Sequence, residues 1–109
     1  MYEIEHYRTV QDRDVFQDWY VRLKDKQARR QIDRRLYRVR LGNFGDHRSC
    51  GDGVWELRID LGPGYRVYYA ISGNQVVLLL CGGDKRGQSS DIERAIDCLK
   101  DFKERTRSK

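Results

Sequence analysis

The stretch from Trp55 to Ile71 constrains the fold more than any other part of the chain. With Val54 just before it, the stretch holds two short runs, 54–60 and 65–71, in which side chains of unlike character alternate, and Leu61-Gly-Pro-Gly64 lies between them. A period of two is the signature of a strand with two different faces, and a glycine-proline turn between two such runs makes a hairpin. Parity places Trp55, Leu57 and Ile59 on one face and Glu56, Arg58 and Asp60 on the other; in the second run Tyr65, Val67, Tyr69 and Ile71 oppose Arg66, Tyr68 and Ala70. Core faces must match across a hairpin, so Glu56, Arg58, Arg66 and Tyr68 form one polar patch. One register that keeps this parity sets Arg58 opposite Arg66 and Glu56 opposite Tyr68, and neighbouring even registers shift the pairs diagonally.

Two guanidiniums side by side repel unless anions separate them. Glu56 and Asp60 can do so as an internal salt-bridge ladder. A phosphate can do so as well, because arginine grips phosphate oxygens with a planar fork. Lys85 and Arg86, in the loop that follows the last strand, extend the positive rim.

The remaining elements follow from periodicity. Residues 2–8 alternate weakly and read as a first strand. Val15, Phe16, Trp19, Tyr20 and Leu23 share one helical face, and Ala28, Ile32, Leu36 and Val39 make a second stripe, which predicts two antiparallel helices. "LGNFGDHRSCGDGV" reads as an irregular loop containing His47. "QVVLLLC", residues 75–81, is apolar without alternation, as expected of an interior strand covered on both faces. Ser90-x-x-Glu93 resembles a capping box opening a third helix with Ile92, Ala95, Ile96, Leu99 and Phe102 on its core face and a fraying tail after Lys103. The expectation is one α+β domain over residues 1–109, with a largely antiparallel four-stranded sheet, two N-terminal helices and a C-terminal helix.

Charge is unevenly placed. The net +5 is concentrated in residues 21–41, which hold nine basic and two acidic groups, and Arg30, Arg34 and Arg38 recur every four residues opposite the second apolar stripe. Such a row is a solvated helix face or a contact for RNA or an acidic partner segment. Cys50, Cys81 and Cys98 are odd in number and lack a C-x-x-C pair, against both a disulfide framework and a zinc site; reduced thiols in a cytoplasmic protein are expected. No signal pattern or membrane-length apolar run is present.

The patch suggests a reaction. Metal-free RNA cleavage needs a base for the 2′-hydroxyl proton, cations around the pentacovalent phosphorane and an acid for the leaving oxygen. Glu56 is the candidate base, Arg58, Arg66 and Lys85 hold the charge, and Tyr68 or His47 donates a proton or stacks on a base. Neither a two-carboxylate metal cluster nor a phosphate-cradling glycine loop is evident, so no metal and no cofactor are expected.

"GNFGDHRS", "GVWELRIDLGPGYRVYYA" and "LLLCGGDKRGQSSDIERA", in that order behind two helices, resemble the RelE/ParE toxin superfamily, and most closely its phage-derived Gp49-like, HigB-type addiction module killer branch. The resemblance implies the toxin of a type II toxin-antitoxin system and a ribosome-dependent mRNA interferase. It implies as partners messenger RNA, the ribosome and a HigA-like helix-turn-helix antitoxin. By position Arg58 resembles a strand lysine of the RelE catalytic set, Arg66 its G-Y-R arginine and Lys85 the basic residue after the last strand, whereas Glu56 stands where RelE has another lysine. The C-terminal tyrosine of RelE-like toxins has Ile92 in its place, and the neighbouring Asp91 resembles the acidic residue that HigB-like members use there. A helix-capping role for Asp91 is the other reading. The competing functional readings are a ParE-like gyrase poison without catalysis and an inactive RNA-binding relative.

Overall fold

A computed structural model describes residues 1–107. Strand β1 (Glu3–His6) leads to helices α1 (Val15–Arg22) and α2 (Lys26–Arg40). Strands β2 (His47–Gly51), β3 (Val54–Ile59), β4 (Tyr65–Ser72) and β5 (Val76–Asp84) follow, and a 3-10 turn (Lys85–Gly87) opens into α3 (Gln88–Arg107). The sheet order is β1-β5-β4-β3-β2; β1 runs parallel to β5 and every other pairing is antiparallel.

The helix starts are chemically encoded. Asp14 accepts the Gln17 N–H at the head of α1, and Asp25 accepts those of Gln27 and Ala28 at the head of α2. The apolar stripe of α2 then buries Ala28, Ile32 and Val39 against Leu57, Val67, Tyr69 and Leu79 on one face of the sheet, joined by Phe16 of α1. On the other face Ala95, Cys98 and Leu99 of α3 cover Val54, Tyr68, Ala70 and Leu80. The unbroken apolar run of β5 thus serves two cores. A bulge between Tyr68 and Tyr69 leaves Leu80 outside the residue-by-residue pairing, which lets Leu80 and Cys81 both enter the α3 core.

Three expectations need correction. The sheet has five strands, not four, because β2 lies inside the segment that reads as a loop; four of its five residues are exposed, so no apolar alternation marks it. Helix α3 opens at Gln88, ahead of Ser90, because the Asp84 side chain caps the preceding 3-10 turn by accepting the Arg86 N–H. It also stays helical past Lys103 to Arg107, where Arg105 bonds the Asp101 carboxylate and the Arg8 carbonyl.

Candidate active site

The β3–β4 register sets Arg58 opposite Arg66 and Glu56 opposite Tyr68, as the alternation predicts. The two arginines, however, live in different surroundings. Arg66 is only 5% exposed, with its Nε 3.2 Å from Glu56 Oε2 and its Nη1 donating to the Tyr65 carbonyl at 3.0 Å. The Nε contact is an ion pair by distance but lacks the angle of a hydrogen bond. Glu56, 1% exposed, is further held by Gln88 Nε2 at 3.1 and 3.2 Å from its two oxygens and by Arg48 Nε at 3.7 Å. A buried carboxylate with charged and amide donors on both oxygens is a satisfied anion, and it neutralises the guanidinium beside it.

Arg58 is half-buried and Lys85 exposed, and among the described residues neither makes a side-chain hydrogen bond or ion pair. Arg58, Arg66 and Lys85 converge on an open pocket of about 280 Å³ closed by the Gly62-Pro63-Gly64 turn, with Asp46 and Asp60 on its walls. Internal carboxylates thus account for one arginine of the pair. The other two cations stay available to an anion from outside.

The sites of the other candidates differ from the sequence expectation. Glu56 lies behind Arg66 and off the pocket wall, which removes it from contact with a 2′-hydroxyl. Tyr68 is fully buried in the α3 core with its hydroxyl unpartnered, and burial, then Glu56 and Asp91, push its pKa upward; it cannot stack on a base or reach the pocket. His47 pairs with Leu57, so parity puts it on the opposite face of the sheet from Arg58; its ring leans on Phe44 and Trp55 and its Nδ1 lies 2.8 Å from the Gly45 carbonyl. Arg86 is exposed and paired with Asp84 at 3.3 Å.

Asp91 comes near Arg66 by a route that strand parity alone does not reveal. Arg66 pairs with Gly83 on β5, and a Cβ on Gly83 would lie 2.0 Å from Asp91 Oδ2. The carboxylate of the first turn of α3 therefore occupies the place of the missing side chain, one strand over from Arg66. Burial, opposed by Arg94 and aided by Asp84, raises its pKa above the ordinary 3.8.

Three further residues have no marker in the sequence. Gln88 reaches Glu56 across 32 positions. Arg35, half-buried on α2, donates to the carbonyls of Arg58, Phe44 and Asp46 and so ties the loop before β2 to β3. Asp46 joins the pocket wall through that loop, its carbonyl accepting the Arg58 N–H at 2.9 Å. Arg30, Arg34 and Arg38 are all exposed on α2. Among the described residues no cluster of three or more His, Cys, Asp or Glu is placed to hold a metal ion, and no helix is long and apolar enough to cross a membrane.

The family model described as "Phage derived protein Gp49-like (DUF891)" matches residues 18–100, a span that contains both sheet arginines, Glu56, Lys85 and Asp91. The chain belongs to the phage-derived Gp49-like family. That family falls within the RelE/ParE-like grouping to which the sequence motifs point. An uncharacterized protein of Haemophilus influenzae (strain ATCC 51907 / DSM 11121 / KW20 / Rd) is 49% identical over 81 residues, 74% of this chain and 82% of its own length. In this Gp49-like chain the matched span runs from the middle of α1 through most of α3, so the arginine pocket and the strands that line it lie within it.

Proposed function

We propose that this Gp49-like chain is the toxin of a type II toxin-antitoxin pair and that it cleaves messenger RNA on the ribosome without a metal ion. The observation that carries the reading is the pocket where Arg58 and Lys85, both unpaired among the described residues, meet the Nη side of Arg66. A phosphodiester there receives the charges of Arg58 and Lys85 and the Nη edge of the Glu56-paired Arg66, and these groups stabilise the extra negative charge of a phosphorane more than that of the ground state. Glu56 and Gln88 act behind Arg66 as positioning residues, fixing the direction of its fork. Asp60 shares the face of Arg58 and the pocket wall, and takes the 2′-hydroxyl proton. Asp91, half-buried at Gly83 one strand over from Arg66 and, like Glu56, off the pocket wall, gives a proton to the leaving 5′ oxygen through a bridging water.

The arginine row of α2 adds contacts to RNA phosphates or to an acidic antitoxin segment, and the partner expected from the resemblance is a HigA-like helix-turn-helix antitoxin. Its binding silences the chain by covering the arginine pocket or by keeping it off the ribosome.

The test is transcript 5′-end mapping after induction of the chain without antitoxin, for the unaltered chain and for Arg58→Ala and Lys85→Ala. New ends within translated messages are expected for the unaltered chain, and a loss of about 100-fold for Arg58→Ala, the usual effect of removing one charge-stabilising donor. Intact messages together with gyrase-linked DNA breaks would replace this reading with the ParE-like one.

A further inference from the structure

The sheet face that α2 covers is left partly bare. Trp55 of β3 and Ile71 of β4 share the parity of the buried Leu57, Val67 and Tyr69, yet Trp55 stays half-buried and Ile71 is 41% exposed. Phe44, from the loop after α2, and His47, at the start of β2, join Trp55, Tyr69 and Ile71 around an open cradle of about 130 Å³. Its walls are mostly rings. Phe44 stacks on Tyr69 with centroids 5.7 Å apart, and His47 lies 5.7 Å from Phe44 and 5.6 Å from Trp55. His47 is exposed, and its Nδ1, 2.8 Å from the Gly45 carbonyl, fixes the direction of the ring. Four π systems around one opening suit a flat ring, which gains offset or edge contacts with each of them.

Position selects the owner of that ring, because the loop over residues 41–47 joins the cradle to both cationic features of the chain. At its start the Arg38 carbonyl accepts the Asn43 N–H at 2.9 Å, one residue before Phe44, so the exposed arginine row of α2 ends beside the cradle. At its end Asp46 lines the pocket of Arg58 and Lys85 while the next residue, His47, lines the cradle. Arg35 donates to the carbonyls of Phe44, Asp46 and Arg58 and so holds pocket and cradle at a fixed spacing. The two openings lie on opposite faces of the sheet, but β2 is its last strand, and a polymer that rounds the sheet at Asp46 passes from one to the other.

We propose that the cradle receives one unpaired base of the RNA whose phosphate sits at Arg58 and Lys85, stacked against His47 and Trp55. The strand rounds the β2 edge at Asp46, and its next phosphates meet the end of the arginine row at Arg38. Cations interleaved with aromatic platforms are the pattern by which single strands are held, since every base offers a π face and every linkage a charge. The inference rests on the RNA reading above and adds to it a base-binding subsite remote from the reacting phosphate.

The test uses the full chain labelled with 15N, a 2′-O-methyl RNA hexamer, and a second hexamer with the same backbone and no bases. The Trp55 indole N–H, assigned with Trp55→Phe, and the His47 ring are expected to shift with the first hexamer and to stay in place with the second. The abasic hexamer should bind at least fivefold more weakly, the low end for one base stacked on a ring. His47→Ala, at an exposed site, should weaken the intact hexamer by a similar factor and leave the abasic one unchanged. Binding of the intact hexamer with both rings unmoved, or equal affinity for the two hexamers, overturns the cradle and leaves the RNA reading standing; binding of neither overturns both. Ring shifts that grow with protein concentration alone also overturn the proposal, by identifying a second copy of the chain as the occupant.

Discussion

Arg58 and Arg66 stand directly opposite each other on β3 and β4, yet among the described residues only Arg66 has a carboxylate paired with it, Glu56 at 3.2 Å. The pair is therefore asymmetric: one guanidinium is a buried, neutralised fixture and the other a half-exposed charge facing a pocket. Like charges in adjacent cross-strand positions destabilise a sheet by tenths of a kcal/mol. Arg58→Ala is expected to leave thermal stability unchanged or slightly higher while RNA cleavage falls. A large drop in melting temperature would mean that Arg58 supports the fold instead.

Arg66→Ala should behave differently, because it strands Glu56 in the interior. Removing one partner of a buried ion pair costs about 3–5 kcal/mol, a large part of the stability of a domain this size. Urea unfolding should show that loss for Arg66→Ala, and Glu56→Gln combined with Arg66→Gln should recover most of it. Additive losses in the double variant would show that the two side chains are not coupled.

Gly83 makes room for Asp91. Gly83→Ala places a Cβ within about 2 Å of the carboxylate, so an overpacking cost of about 1–3 kcal/mol is expected. Gly83→Ala with Asp91→Ala should restore stability without restoring cleavage, since the proposed proton donor is gone. Recovery of cleavage by the double variant would exclude Asp91 from the chemistry.

The buried cysteines contribute to a loss of stability at alkaline pH. Burial raises Cys50 from 9.0 to about 11 and Cys81 to about 12, and Cys98 shifts the same way. The folded chain keeps these protons at a pH where the unfolded chain releases them, so stability is full below about pH 9 and falls as pH rises toward the folded values. One fully protected thiol gives a slope of about 1.4 kcal/mol per pH unit. Urea midpoints measured from pH 8 to 11 should decline, less steeply in Cys81→Ala; a flat profile would contradict the burial of these thiols.

Much of this was legible in the residues because it follows from strand parity. The Arg58–Arg66 and Glu56–Tyr68 pairings, the two-faced burial of β5 and the core stripe of α2 all come from local alternation or helical spacing. What escaped has no local signal. Strand β2 is an exposed edge, stabilised by backbone pairing instead of apolar side chains. Glu56 reads as a surface residue because Gln88, which helps bury it, arrives on α3, 32 positions later. Tyr68 shares the polar face of the hairpin, but that face passes under α3, so its ring joins a core instead of a site.

The central claim is that Arg58 and Arg66 are held together to receive a phosphate. It is tested most directly by equilibrium binding of a short 2′-O-methyl RNA, which cannot be cleaved, across a salt series. Arg58→Ala is expected to weaken binding by about tenfold or more and to reduce the log–log salt slope by about 0.7, the value for one single-stranded phosphate contact. Equal affinity and equal slope for Arg58→Ala and the unaltered chain would show that no phosphate lies between these guanidiniums.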